Sequence, residues 1–538
     1  MSTRYPRMLN GFYVSNLSDG QLAYIDSIRE SEKIENLSEM IFNFPPELVV
    51  RSLKENKSIR QIVKEENIDW EKYKGKLRDY QTLMTGFMYM SPRSINGDYV
   101  GLGKTAEVAA LINYLKMKGE LTRFCIAVEG SAFTQTTCEL TKFTGLRIIE
   151  IPGETPKIKR IVTNVDWENV DGIVCKHSVL KNDYFMTFLS QNISQQGVNK
   201  VFNTLFIDES TVIKNKETKF CQYILEILKI TPRCHLMNAT PFEKSIMDIY
   251  TQLDVLDMNL LPSKSKIENL YSVWKTSYFW TKNRYGEAQK HPKRDRVGYK
   301  NQAEFKRSLK YVYWGRSKKE VGKELPHNYR TLTVKPTKDQ MICIGNGYRY
   351  QEVLNCPSLI EDIGIETNRK NVPKIDLTLR IIDEQYQEAK VMIYVWNPKA
   401  QEALANELKS IGRKPAIIRG GMKDIEKWEI QQEFNSENGK YDVLITNARK
   451  SLNLYGADVC ILYSVESSSG LYTQICGRVD RSVDDKIRDF ILLVYEDSPE
   501  FDYLTSVVKA RAEDSRALTI DAKGAIDYFI EYLEREEE

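Results

Sequence analysis

No run of about eighteen apolar residues occurs anywhere in the chain, so the sequence offers no membrane-spanning helix. The opening Met1-Ser-Thr-Arg-Tyr-Pro-Arg7 is polar and lacks the apolar centre of a secretory leader. The nine cysteines are scattered and form no CxxC pair, which argues against a zinc ribbon and a disulfide framework. Such usage suits a reducing compartment, and the expected location is the cytoplasm. Charge of one sign is also lacking overall, since the net value is only +3. There is no short-period repeat. A single core cannot serve 538 residues, so about three domains are expected.

Charge is concentrated locally. Between Lys282 and Arg330 stand fifteen Lys or Arg residues against five Asp or Glu. Tyr285, Tyr299, Phe305, Tyr311, Tyr313 and Trp314 interleave with them. Alone, such a run reads as a solvated helix face. Beside the motifs below it reads as a nucleic-acid contact.

Periodicity divides the chain. Residues 1–75 contain two helical patterns, 28–41 and 47–66, separated by Pro45-Pro46, and carry no chemical motif. From 76 to 260 short apolar runs alternate with amphipathic stretches. Phe124–Val128, Gly172–Cys175, Thr204–Ile207 and Cys234–Met237 read as buried strands. Ala106–Lys116 and Thr218–Leu228 read as helices between them. The rhythm returns over 374–500, with strands at Val391–Val395, Pro415–Ile418, Asp442–Ile445, Val459–Leu462 and Phe490–Val494. The expected fold is α/β, two parallel-sheet lobes flanking a basic, partly helical middle at 261–373. A helical tail follows at 501–538.

Four stations carry the chemistry. Asp98-Tyr-Val-Gly101-Leu102-Gly103-Lys104-Thr105 precedes a helical pattern and reads as a phosphate-binding loop. Its glycines let backbone N–H groups turn toward phosphate, and the helix N-terminus adds a positive dipole end. Lys104 is expected on the β- and γ-phosphates of ATP and Thr105 on Mg2+. Second, the apolar strand Leu205-Phe-Ile delivers Asp208 and Glu209 at a sheet's carboxyl edge. Asp208 is expected on Mg2+ and Glu209 on the attacking water. Third, Asn238-Ala-Thr240-Pro241 follows another strand and suits a γ-phosphate sensor, although alone it is an ordinary turn. Fourth, in Gln474-Ile-Cys-Gly477-Arg478-Val-Asp-Arg481 two arginines three apart would share a helix face. Arg478 and Arg481 are candidate arginine fingers; in isolation they would be a surface pair.

In this order the stations resemble the superfamily 2 helicases, and among them the Swi/Snf-type translocases, over roughly residues 76–500. Leu77-Arg-Asp-Tyr80-Gln81 is similar to the family's opening motif, which implies that Gln81 recognises adenine. The leading Asp98 of the phosphate loop is a Snf-type feature. Asp208-Glu-Ser-Thr211 departs from the family's Asp-Glu-Ala-His. Trp314-Gly-Arg316-Ser-Lys-Lys-Glu-Val321 with Leu325-Pro326, and Gln474–Arg481, are similar to further family motifs. The resemblance implies two RecA-like lobes with ATP between them and nucleic acid across both. It suggests Ser131, Ser178 and Lys214 as phosphate contacts in lobe one. It also implies an ATP-dependent DNA translocase or helicase of the compact bacterial or phage type. The expected partner is DNA, duplex or branched, with RNA as the alternative and no membrane. The rival readings are a nucleic-acid-binding module with a decayed ATPase site and a P-loop kinase or signalling NTPase.

Overall fold

Strands buried on both faces need nearly continuous apolar runs, and helices must cover them. The computed structural model shows this arrangement twice. It describes residues 7–9, 12–14, 17–31, 77–239, 246–257, 263–282, 288–448, 452–480, 486–518 and 523–537. A small hairpin, β1 (Arg7–Leu9) and β2 (Phe12–Val14), opens the chain. Lobe one contains β3 (Arg93–Asn96), β4 (Phe124–Val128), β5 (Ile148–Ile151), β6 (Gly172–Lys176), β7 (Thr204–Asp208) and β8 (Arg233–Met237). The middle of the chain holds β9 (Ser272–Lys282), β10 (Ala288–Tyr299), β11 (Tyr313–Trp314) and β12 (Asn328–Val334). Lobe two contains β13 (Val391–Tyr394), β14 (Pro415–Ile418), β15 (Val443–Thr446), β16 (Val459–Leu462) and β17 (Asp489–Tyr495).

The first sheet runs β11-β3-β8-β7-β4-β6-β5 and the second β12-β17-β16-β13-β15-β14. Every pairing in both is parallel. The run β8-β7-β4-β6-β5 and the run β17-β16-β13-β15-β14 have the same strand order. These are two RecA-like lobes of one architecture. Each of the nine strands read from sequence is present, with ends moved by one residue at most. Strands β3 and β5 escaped that reading because polar residues interrupt Arg93-Ser-Ile-Asn96 and Ile148-Ile-Glu-Ile151.

The middle segment is helical only in part. It contributes β11 to the edge of the first sheet and β12 to the edge of the second. Its most basic stretch forms the two-stranded antiparallel sheet β9–β10. Val273, Trp274, Thr276 and Tyr278 are residues that favour a pleated strand. Of the interleaved aromatics, Phe305, Tyr311, Tyr313 and Trp314 lie in the core of lobe one. At those positions the apolar role prevails over nucleic-acid contact. Of the N-terminal block, helix α1 (Asp19–Ser31) is described and buries Tyr24, Ile25 and Ile28 in the same core. The pattern at 47–66 and most of that at 28–41 lie outside the described residues. No helix among the described residues is long and apolar enough to cross a membrane.

Gly172 tests the first sheet. It pairs with Phe124 across β6 and β4, and a Cβ there would lie 2.1 Å from the Phe124 ring. Gly172→Ala is expected to destabilise the lobe by about 1–3 kcal/mol through overpacking. The denaturation midpoint measures this, and Phe124→Leu in the same chain should recover part of the loss.

Candidate phosphate-binding cleft between the lobes

Helix α2 (Asp79–Met90) precedes β3, and helix α3 (Lys104–Met117) follows the loop that leaves β3. Gly101 and Gly103 have φ of 87° and 91°, in the left-handed region that glycine enters without strain. Gly103 is the N-cap of α3 and supplies no side-chain cap, which leaves the helix's first N–H groups for an anion. The first turn of α2 clamps this loop. Tyr80 Oη and Gln81 Nε2 both donate to the Leu102 carbonyl, at 3.0 and 2.8 Å. Gln81 Oε1 accepts from the Arg78 backbone N–H at 3.0 Å. Gln81, expected to read the base, thus uses both ends of its amide on the protein while it lines the cleft.

A cavity of about 530 Å³ lies above the loop, bounded by Lys104, Thr105, Asp208 and Glu209 from lobe one and by Asn453 and Arg478 from lobe two. Asn238 and Ala239 also border it; Thr240 and Pro241 lie outside the described residues. Lys104 Nζ donates to the Asp98 carbonyl at 2.7 Å and, at 3.4 Å, to that of Tyr99. Burial lowers its pKa, against the pull of Asp208, Glu209, Asp98 and Glu107. Burial and then the neighbouring Glu209 push the Asp208 carboxyl up to about 6, with Lys104 opposing. Glu209 follows β7 at φ 50°, a conformation costly for a residue with a side chain and concentrated at functional sites. Thr105 and Asp208 offer a hydroxyl and an undercompensated carboxylate to the same cavity, a hard oxygen set that fits Mg2+.

Arg478 reaches across from lobe two. Its Nη2 lies 3.8 Å from Glu209 Oε1, and its Nε donates to the Gln474 carbonyl at 3.1 Å. Burial lowers its pKa, while Glu209 and Asp208 favour the charged form. The expected shared helix face is corrected here. Helix α4 (Ser469–Cys476) ends before Arg478, and the N–H groups of Arg478 and Val479 close tight turns onto the carbonyls of Ile475 and Cys476. Arg481 lies outside the described residues. The residue that follows α4 is Gly477, where a Cβ would stand 2.4 Å from Val100 Cγ1 of the phosphate loop. The lobes approach too closely for any side chain at that position.

Two buried clusters were not legible as site features. Asp98 is fully buried and receives Arg316 in bidentate fashion, Nη2 to Oδ2 at 2.5 Å and Nε to Oδ1 at 3.0 Å. The Arg316 backbone N–H adds a third bond to Oδ1 at 3.1 Å. Asn96 Nδ2 donates to Glu107 Oε2 at 2.6 Å, and Asn96 Oδ1 accepts from the Asp98 N–H at 3.0 Å. Burial, then the Asp98 charge, holds the Glu107 carboxyl well above its usual range. Two residues along the chain from Arg316, Lys318 Nζ reaches Asp480 Oδ1 of lobe two at 2.5 Å, and His327 Nε2 lies 3.1 Å from the same oxygen. Burial alone would raise the Asp480 carboxyl, yet His327 and Lys318 hold it at about 2. The Trp314–Val321 motif marked this stretch, but no spacing rule names partners so distant in sequence.

The three candidate phosphate contacts follow neighbouring strands. Ser131 stands in the turn after β4, Ser178 follows β6, and Lys214 follows the turn after β7. All three occupy the carboxyl edge of one sheet.

Arg316→Met would leave Asp98 charged, buried and unpaired, at an expected cost of about 3–5 kcal/mol. A denaturant series reads it, and adding Asp98→Asn should recover part. Glu107 supplies a pH test. Its raised pKa means that folding takes up a proton, so its contribution to stability falls as pH rises above the ordinary value of 4.5. Glu107→Gln should remove that slope, leaving the variant more stable than the parent at pH 8 by a margin that shrinks at pH 5. Equal margins at both pH values would contradict the assignment.

Two family matches divide the chain between them. The SNF2-related domain family matches residues 59–358, and the helicase conserved C-terminal domain family matches residues 373–483. A human SWI/SNF-related matrix-associated actin-dependent regulator of chromatin, subfamily A member 1, is 24% identical over 442 residues. That alignment covers 76% of this chain and 40% of the human protein, so the chain spans about two fifths of that relative. An uncharacterized ATP-dependent helicase of Bacillus subtilis, YqhH, is 25% identical over 189 residues, 35% of this chain and 30% of that protein. Among solved structures, the SWI2/SNF2 ATPase core of Sulfolobus solfataricus in complex with dsDNA aligns with TM-score 0.39 at 19% identity, over 83% of this chain and 97% of that one. With more than half of its length matched by the first family, the chain belongs to the SNF2-related branch of the superfamily 2 helicases.

Proposed function

We propose that this chain is an ATP-driven DNA translocase, a motor that couples hydrolysis in the inter-lobe cleft to movement along DNA, duplex in preference to single-stranded. The observation that carries the reading is the meeting of Arg478 with Glu209 across a cavity that also holds Lys104 and Thr105. A site divided between two lobes reports on their closure; a kinase site needs no such division. The proposed functional units are lobe one at 76–260 with β11 added, and lobe two at 374–500 with β12 added.

In this reading Lys104 leaves the Asp98 carbonyl and takes the β- and γ-phosphate oxygens of ATP. Thr105 and Asp208 would hold Mg2+, which when bound would neutralise charge developing on the phosphates. Glu209 orients water for in-line attack on the γ-phosphorus and accepts its proton as the bond to the ADP oxygen breaks. Arg478 turns from Glu209 toward the γ-phosphate, with Arg481 as its proposed companion. Gln81 faces the adenine once its amide exchanges a protein partner for the base. Ser131, Ser178 and Lys214 grip strand phosphates along the carboxyl edge of the first sheet. Release of phosphate removes the bridge between Lys104 and Arg478, and the lobes part. Alternating grips then convert opening and closing into steps. Such motors remodel DNA structures or displace proteins bound in their path.

Lys104→Ala should abolish nearly all DNA-stimulated hydrolysis; a variant that still turns over with DNA would remove the loop from the mechanism. Arg478→Ala should bind nucleotide like the parent while turnover falls on the order of a thousand-fold. Parallel loss of both would make Arg478 a binding group. Comparing stimulation by duplex, forked and single-stranded DNA and by RNA tests the partner: strongest stimulation by duplex supports the reading, and strongest by RNA overturns it.

A further inference from the structure

Strands β9 and β10 pair from Ser272↔Tyr299 to Lys282↔Ala288, and among the described residues no third strand joins them. At about 3.3 Å per residue such a ribbon extends roughly 35 Å. Its base is fixed to lobe one. Tyr271 packs edge-on against Phe305 at 5.0 Å in the core, and the Ile246 N–H donates to Tyr299 Oη at 3.0 Å. The Lys300 N–H donates to the Tyr271 carbonyl at 2.8 Å and closes the base.

One face of the ribbon is uniform in character. Opposed residues share a face, so Trp274 and Arg296, Thr276 and Arg294, Tyr278 and Pro292 stand together, with Lys290 next in line. A register shift between Arg296 and Gly298 brings Tyr299 onto the same side. Each cation then lies over a ring: Lys290 over Tyr278 at 4.2 Å, Arg294 over Trp274 at 5.1 Å, and Arg296 over Tyr299 at 4.7 Å. None of these positions is Asp or Glu. Tyr278 is 58% exposed, so its ring supports a cation instead of filling a core.

We propose that this ribbon is a second DNA-binding element, separate from the cleft, whose cation-bearing face engages the phosphates of duplex DNA. The inference rests on the motor reading above, which supplies the DNA. Charge decides the ligand, because three cations on a face whose described positions include no Asp or Glu complement a polyanion. The rings decide between strand states. A platform for unpaired bases stacks them on its ring faces, whereas among the described side chains of this face each ring lies under a cation, so the face offers charge. Duplex DNA has one phosphate charge per about 1.7 Å of axis, and its major groove admits a two-stranded ribbon.

The test uses the full chain and a labelled duplex, with the binding constant measured across a range of NaCl. The variant Lys290→Gln, Arg294→Gln, Arg296→Gln should flatten the slope of log K against log salt by about 2 to 3, since each phosphate contact contributes about 0.9. A charge-keeping variant, Lys290→Arg, Arg294→Lys, Arg296→Lys, should retain the parent slope. The proposal is overturned by an unchanged slope in the glutamine variant, by equal flattening in both variants, or by flattening seen only on single-stranded DNA. The motor reading is judged separately, by whether saturating duplex stimulates hydrolysis in the parent chain; the slope judges the ribbon whatever that result.

Discussion

The Asp98 carboxylate and the Arg316 guanidinium meet across 218 residues of chain, and the cleft is built on that meeting. Asp98 begins the phosphate loop; Arg316 begins the segment that leads to lobe two. Both are withdrawn from water, so each depends on the other for its charge to be tolerated. The bond also sets geometry. Three hydrogen bonds to one carboxylate place the linker alongside the strand that carries the loop, and the Tyr99 N–H donates to the Arg316 carbonyl at 3.0 Å to continue the pairing. Glu107, raised in pKa beside this pair by burial and then the Asp98 charge, supplies an acceptor for Asn96.

From that anchor the linker reaches the other lobe almost at once. Lys318 and His327 converge on Asp480 and hold its carboxyl below the usual range against the effect of burial. Asp480 lies two residues from Arg478, and its carbonyl would stand 3.0 Å from a Cβ at Gly101. The loop, the linker and the arginine segment therefore form one contiguous polar seam. Within it Lys104 is satisfied by backbone carbonyls and Arg478 faces Glu209. In the proposed cycle an anionic nucleotide would separate these neighbours and re-pair them.

The SNF2-related motifs were readable because phosphate chemistry demands particular residues at short spacing. Gly101, Gly103, Lys104 and Thr105 must be adjacent for a loop to curl onto a helix, and Asp208 with Glu209 must end a buried strand. Buried strands were equally visible, since Phe124–Val128 or Val459–Leu462 can be nothing but apolar when covered on both faces. The basic middle was harder. Tyr311, Tyr313 and Trp314 look like the aromatic partners of a charge run, yet they fill a core, while Trp274 and Tyr278 stand on a ribbon. Composition is the same in both cases; only the neighbours differ.

The chain by itself thus determined the two parallel-sheet lobes and the local groups proposed to hold phosphate and metal, because those depend on periodicity and on residues a few positions apart. The tertiary structure alone decided which distant charges meet. It buried Asp98 on Arg316, brought Lys318 to Asp480, ended α4 before Arg478 and raised Lys290, Arg294 and Arg296 onto one ribbon face. Each of those outcomes is a pairing across the fold, and the energy of a charge is set by what surrounds it, which no window of sequence contains.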